Sequence, residues 1–395
     1  MRSRFVFVVG IPRSGTTLVA TMLGRHSSIV AGPESHFFLQ TQDRELESII
    51  SGTQWPGTAH RVLRSLTSEG ELVVAQFGHT DVSLRAALEE GPRSVEGALV
   101  ALHSQLISEV ESPTWICEKT PDHLRHLPSI AANFPDCVVL HVVRDPRSIC
   151  LSQTKVPWAS DSALHNAYRL RDRYETARRD FGSVACLHTI KYEELVEAPA
   201  EVMTEALSVL GLSFEQSMLE PSAGDARLVP STEPWKQGAL SDVRRDRADS
   251  WLLDLPSQTS SSILSICDRY ASDFGYPAAE GTLRLPIRRL GREEVERRLF
   301  DLEQASLDGV TCVPAVPGEG DDPIYATPPG RSGEHGLSEF LRSVVASLWR
   351  AGPRPVVLLP PDRSRAERRR RRLFRWFCSW SAETKSLAEV VREHQ

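Results

Sequence analysis

Four short apolar runs stand out along the chain: Phe5–Val9, Trp115–Cys117, Val138–Val143 and Val184–Ile190. Their apolar character is near-continuous rather than alternating. That pattern suits strands covered on both faces, as at the centre of a parallel sheet. Between them lie longer stretches with helical character, at Thr16–Arg25, Val95–Val110, Pro121–Asn133, Ser162–Phe181 and Pro199–Leu210. Strand and helix in alternation predict right-handed crossovers and a three-layer α/β/α domain with a central parallel sheet. Ser261–Phe274 reads as the last helix of that domain. Gly275 and Pro277 stop it, which places the domain end near residue 280.

Residues 284–395 change character. Arg292–Leu307 reads as a charged amphipathic helix, Val313–Glu334 as a loop rich in Pro, Gly and Asp, and Leu337–Arg350 as a helix. Pro355–Leu359 reads as a short strand, and Asp362–Phe377 as a very basic helix. The expected organisation is an α/β domain over 1–280 and a mainly helical appendage over 284–395, suited to dimerisation or to covering an acceptor site. The arginines at 363, 365, 368–372 and 375 are interleaved with Phe374, Trp376 and Phe377. We read them as a solvated helix anchored by its aromatics, against a membrane-surface helix or an acidic-partner dock as the alternative.

Composition narrows the ligand. With 395 residues, 41% hydrophobic and 25% charged, the chain can bury a sizeable core. Its net charge of −6 argues against general attraction to nucleic acid or an anionic membrane, so an anionic ligand needs a locally positive pocket. Seven cysteines, odd in number and without a CxxC pair, suggest neither a zinc site nor a disulfide framework. No run approaches the ~18–20 apolar residues of a membrane span, and Phe5–Val9 is too short for a signal core. The expectation is a cytoplasmic protein. Among 46 basic residues only Lys119, Lys155, Lys191, Lys236 and Lys385 are lysines. Where lysine survives such a bias, a compact point charge is suggested.

The residues Gly10-Ile11-Pro12-Arg13-Ser14-Gly15-Thr16-Thr17 fall between the first strand and the first helix. A phosphate-binding P-loop occupies that context, because its glycines turn successive N–H groups toward one anion at a helix N-terminus. Here Thr16 stands where a nucleoside triphosphatase carries its lysine, and the cation comes earlier, as Arg13. The departure disfavours a P-loop kinase or triphosphatase. A second constellation follows the third run: Arg144-Asp145-Pro146-Arg147-Ser148, then Ser152. Pro146 suits a first helical turn with Asp145 as its cap. Arg144 then leaves the carboxyl end of a strand, where ligands of open α/β sheets collect. Ser152 lies on the following helix.

Together these motifs resemble the PAPS-dependent sulfotransferases, in particular the branch that joins bacterial members with the tyrosylprotein sulfotransferases. Pro12–Thr17 is similar to the family's 5′-phosphosulfate loop, and Val143–Ser152 to its 3′-phosphate motif. Gly32-Pro33-Glu34-Ser35 follows the first helix where that branch carries a catalytic glutamate, with Pro33 in place of a usual second acidic residue. Cys117-Glu118-Lys119-Thr120-Pro121 matches a strand-end lysine, and Lys191-Tyr192-Glu193-Glu194-Leu195 a tyrosine segment near the nucleotide.

The resemblance implies a P-loop NTPase-like sulfotransferase fold and transfer of a sulfuryl group from 3′-phosphoadenosine-5′-phosphosulfate (PAPS) to an acceptor hydroxyl, leaving PAP. Arg13, Ser14, Gly15, Thr16 and Thr17 would hold the 5′-phosphosulfate. Arg144 and Ser152 would hold the 3′-phosphate, with Tyr192 and Lys236 as further nucleotide contacts. Lys119 and Arg13 would stabilise developing charge, and Glu34 would act as general base, with His36 as its rival. No metal is implied. The acceptor expected is a small molecule or glycan rather than a peptide tyrosine, and a homodimer is one use of the appendage. A non-catalytic nucleotide-binding relative is the alternative.

Overall fold

The computed structural model describes residues 4–41, 46, 48–49, 54–111, 113–230, 232–239 and 251–277, with two three-residue strands beyond them. Five strands form one parallel sheet: β1 (Arg4–Gly10), β2 (Ile29–Ala31), β3 (Trp115–Lys119), β4 (Val138–Val143) and β5 (Cys186–Lys191). Their order is β2-β3-β1-β4-β5, with every pair parallel. The central strand β1 is buried from Phe5 to Gly10, as its unbroken apolar run requires.

Alternation along β1 sends side chains to two different layers. Val6 and Val8 join one core with helix α1 (Thr16–Gly24) and with Tyr192, Leu195, Met203 and Leu207. Phe5 and Phe7 face the other way and meet Phe134 edge-on at 4.8 and 5.1 Å between ring centres. On that second face also lies helix α2 (Val95–Ile107), whose His103 touches Phe5. Each fully buried Val or Phe contributes about 1.5–3 kcal/mol by leaving water. The expected three-layer α/β/α arrangement is therefore the observed one.

Strand order decides where a ligand can sit. The chain leaves β1 toward β2 on one side, whereas it leaves β4 toward β5 on the other. The loops after β1 and β4 therefore diverge, and a crevice opens between the carboxyl ends of these adjacent strands. The glycine loop follows β1, and Arg144 follows β4.

Three details depart from expectation. β2 is too short to show as a pattern. The helix expected over Pro121–Asn133 is a 3₁₀ turn, Pro121–His126, followed by an α-helix, Leu127–Asn133. Pro128 explains the break, since it lacks an N–H and starts a helix rather than continuing one. The last helix begins earlier, as Ser257–Ile266, with Asp268–Asp273 after it.

Contacts divide the chain into Met1–Ala278 and Ala279–Gln395. In the second unit Ile324–Ala326 pairs in parallel with Val356–Leu358. The latter strand agrees with the sequence, whereas the former corrects part of the loop expected over Val313–Glu334. The expected helices at Arg292–Leu307, Leu337–Arg350 and Asp362–Phe377, with the arginine cluster, lie outside the described residues. Among the described residues no helix is long and apolar enough to cross a membrane.

Candidate active site

The loop after β1 is built for a close approach by an anion. Arg13 has φ 80° and Gly15 φ 108°, so the backbone twice enters the left-handed region that turns N–H groups inward. Gly15 caps α1 and brings no side chain to its first amides, which remain directed at the crevice. Gly10 is equally constrained, because an added Cβ would lie 2.4 Å from the Val142 carbonyl oxygen. The Ser14 hydroxyl is buried without a hydrogen-bond partner. That hydroxyl is turned toward Gly10 and does not line the crevice, so the fit to a phosphate or sulfonate rests on the uncapped first amides of α1 and on Thr16 and Thr17.

The segment after β4 is held from several directions. The Tyr270 hydroxyl accepts from the Arg144 amide at 3.1 Å and donates to the Arg144 carbonyl at 3.0 Å. Asp145 caps helix α3 (Pro146–Gln153) by accepting from the Arg147 amide at 2.8 Å, as its sequence position predicts. Its carboxylate also takes the Arg147 guanidinium at 2.6 Å. The Arg144 side chain lies over the Tyr192 ring, 4.2 Å from its centre. Gln153 donates to the Pro12 carbonyl at 2.9 Å, so α3 braces the glycine loop.

These pieces converge on a cleft of about 590 Å³. Arg13, Gly15, Thr16 and Thr17 line it from the loop, Arg144, Ser152 and Tyr192 from the second constellation, and Glu34, His36 and Lys236 from elsewhere. Arg13 donates to the Ser152 hydroxyl at 3.1 Å and to the Trp235 carbonyl at 3.1 Å. The two sequence motifs are thus in direct contact. Burial, followed by the neighbouring Arg144, lowers the Arg13 pKa to about 10, still charged at neutral pH.

Lys119 ends β3, fully buried, and donates to Glu34 Oε1 at 2.8 Å. Lys236 reaches the same oxygen at 2.5 Å and bonds Glu233 at 2.6 Å. His36 Nε2 stands 3.6 Å from Glu34 Oε2 and 3.1 Å from the Ser68 hydroxyl. Burial alone would raise the Glu34 pKa, but Lys119, then Lys236 and His36, hold it well below the usual carboxylate range. Burial lowers the His36 pKa, only partly offset by Glu34, so the ring is neutral near pH 7. Burial also lowers Lys119 despite its Glu34 partner, whereas Glu34 and Glu233 overcome burial and raise Lys236.

Lys236, expected from sequence beside the nucleotide, here grips Glu34 from within the same cleft. Glu233 and Trp235 were not singled out by sequence. The pointers to their segment were the survival of lysine at 236 in an arginine-biased chain and the resemblance that gives Lys236 as a nucleotide contact. Counting charged residues that line the cleft together with Lys119, six are cationic and four anionic, a local excess in a chain of net charge −6. Glu34 and Glu233 are both engaged by lysine. Among the described residues no group of three or more His, Cys, Asp or Glu side chains is arranged to hold a metal ion.

The profile of the family described as Sulfotransferase family matches residues 6–216. Protein-tyrosine sulfotransferase 2 of Gallus gallus is 26% identical over 224 residues, covering 54% of this chain and 53% of that protein. Protein-tyrosine sulfotransferase of Drosophila melanogaster is 24% identical over 328 residues, covering 75% of this chain and 59% of that protein. The chain thus spans about half the length of these curated relatives. Among solved structures, the sulfotransferase domain from the Synechococcus PCC 7002 olefin synthase is similar at TM-score 0.48 and 21% identity, covering 70% of this chain and 97% of that one.

Proposed function

We propose that this chain, which belongs to the sulfotransferase family, transfers a sulfuryl group from PAPS to an acceptor hydroxyl, with Glu34 as general base. The observation that carries the reading is the meeting of the glycine loop, Arg144 and the Glu34–Lys119 pair around one cleft. PAPS, when bound, supplies an activated sulfuryl group on a phosphate that leaves as part of PAP.

The chain's own residues divide the work. The amides at the start of α1, with Thr16, Thr17 and Arg13, offer donors to the phosphate and sulfonate oxygens. Lys119 brings a buried point charge for the oxygen on which negative charge develops. Arg144 and Ser152 offer a cation and a hydroxyl to the 3′-phosphate, and Tyr192 backs the Arg144 guanidinium at 4.2 Å. Glu34 takes the acceptor proton, and His36 stands near enough to share that duty. The acceptor we propose is a small molecule or glycan.

Arg144→Ala tests the donor assignment. PAP affinity is expected to fall about 10–100-fold, the scale of a charge-assisted hydrogen bond. AMP, which lacks the 3′-phosphate, should change by less than about 3-fold. Calorimetric titration of both nucleotides reads the difference. Equal losses for PAP and AMP would remove the 3′-phosphate from this reading, and tighter binding of ATP·Mg²⁺ than of PAP by the unaltered protein would replace the donor. Incubation with labelled PAPS and cell extract then identifies the acceptor.

A further inference from the structure

One buried carboxyl behind the cleft takes no part in the chemistry above. Glu118 precedes Lys119 on β3, so its side chain leaves the opposite face of the strand, fully buried. Its Oε1 accepts from the Ser35 hydroxyl at 2.8 Å and from the Thr120 hydroxyl at 2.9 Å. Those two hydroxyls in turn accept from the loop that carries the candidate bases. The Phe37 amide donates to Ser35 Oγ at 3.1 Å, and the His36 amide to Thr120 Oγ1 at 3.3 Å. The next amide, of Phe38, donates to His123 Nε2 at 3.2 Å.

These three amides open the short helix Phe37–Gln40, whose cap residue, His36, makes no side-chain capping bond and sits at φ 52°. A turn in that region for a non-glycine residue costs about 1–2 kcal/mol and persists only where its surroundings impose it. Glu118 and its partners supply that constraint from outside the loop.

The same hydrogen bonds locate the protons. His103 Nδ1 lies 2.8 Å from the Leu99 carbonyl, which can only accept, so Nδ1 bears the hydrogen and Nε2 a lone pair. Nε2 stands 3.6 Å from Glu118 Oε2, and both atoms are buried without another partner. A hydrogen on Oε2 sets donor against acceptor across that 3.6 Å, a favourable contact though longer than a hydrogen bond, whereas an ionised carboxylate leaves lone pair facing lone pair. His123 Nε2 accepts an amide, so Nδ1 bears its hydrogen, 3.6 Å from Glu118 Oε1.

We propose that Glu118 is a positioning residue that, as the neutral acid, ties the 34–38 loop to β3 and so holds Glu34 and His36 against Lys119. The inference rests on the reading of Glu34 and His36 as candidate bases. The groups around it agree. Burial raises the Glu118 pKa to about 7, opposed by the Ser35 and Thr120 bonds and by Lys119, and aided by Glu34. Burial lowers His103 to about 4 and holds His123 well below its ordinary value, so neither histidine carries a second proton near neutrality. Cys117, on the same strand, is held as the thiol by burial.

The sign of the pH dependence follows. A carboxyl whose pKa rises on folding binds more protons folded than unfolded between its two values, so stability falls as pH rises from about 4.5 toward about 7. In Glu118→Gln the amide keeps Oε1 as acceptor and offers an N–H toward His103, so the unfolding midpoint should lose that decline between about pH 5 and 8. Between about pH 5.5 and 7, above the range in which ordinary carboxyls protonate, the carbonyl stretch of a protonated carboxyl should be present in the unaltered protein and lost from this variant. Glu118→Ala should lower kcat at least about 10-fold while PAP affinity and the KM for PAPS stay within about 3-fold. Glu118→Gln should recover most of that kcat.

Should Glu118→Ala fail to fold, Ser35→Ala and Thr120→Val each remove one tether, and each should lower kcat about 3–10-fold with PAP affinity unchanged. The proposal is overturned by an unchanged pH profile of stability in Glu118→Gln, or by kcat and PAP affinity falling together in the tether variants. Neither stability nor the stretch depends on sulfuryl transfer. A protein that shows both yet transfers no sulfuryl group therefore loses the functional reading and keeps the network.

Discussion

Glu34→Gln is expected to lower kcat for sulfuryl transfer about 10²–10⁴-fold while PAP affinity stays within a few-fold. The substitution keeps the size and one acceptor oxygen of the side chain but cannot take a proton. Its carboxylate is shared by Lys119 at 2.8 Å and Lys236 at 2.5 Å, so the variant also leaves two buried ammonium groups without their common anion. Some loss of stability follows from breaking a buried ion cluster, about 3–5 kcal/mol at the upper end. The comparison of kcat with PAP affinity separates that from chemistry. A variant that keeps more than about a tenth of the kcat would move the base role to His36, and His36→Ala would then show the larger loss.

A carboxylate held this far below its ordinary range is a weak proton acceptor, and the cause of the shift suggests the remedy. The two lysines depress the Glu34 pKa, so any anion that draws their ammonium groups toward itself lets Glu34 rise toward useful basicity. The same arrangement sets the acid limit of the fold. A depressed carboxylate stabilises the native state above its unfolded value and loses that contribution as pH falls below about 4.5. The unaltered protein should therefore weaken on acidification in a way that Glu34→Gln does not share.

What the sequence disclosed about this site follows from where the chemistry lies along the chain. The glycine loop and the Arg144–Ser152 constellation are each contiguous, and each joins a strand end to a helix start, so local pattern suffices to find them. The apolar runs of β1 and β4 were legible for the same reason. The charge cluster is different. Glu34 meets Lys119 across 85 positions and Lys236 across 202, and that meeting depends on strand order, with β3 and β4 flanking β1. Glu118 looks like an ordinary strand-end acid in sequence. Only burial and the hydroxyls of Ser35 and Thr120 distinguish it. Resemblance supplied Glu34 and Lys119 as single residues and Lys236 as a nucleotide contact, but neither the sharing of one carboxylate by both lysines nor the network behind it.

Gly15→Ala should remove donor binding and destabilise the domain together. Gly15 has φ 108°, a conformation an L side chain resists by about 1–2 kcal/mol, and its added Cβ would lie 2.4 Å from Tyr192 Cδ2. A flexible neighbour could swing aside, but this ring is held by the Arg144 guanidinium stacked 4.2 Å from its centre. Moving Tyr192 therefore moves the cation assigned to the 3′-phosphate, and moving the loop displaces the amides assigned to the phosphosulfate. We expect a loss of about 2–4 kcal/mol, or roughly 5–10 °C in Tm, and at least about a 100-fold loss of PAP affinity. Combining Gly15→Ala with Tyr192→Ala relieves the collision but not the backbone strain, so the double variant should lose less stability than the two single losses added together. Native melting and native PAP affinity in Gly15→Ala would mean that the loop does not meet Tyr192 as described, and that Arg144 is not braced through it.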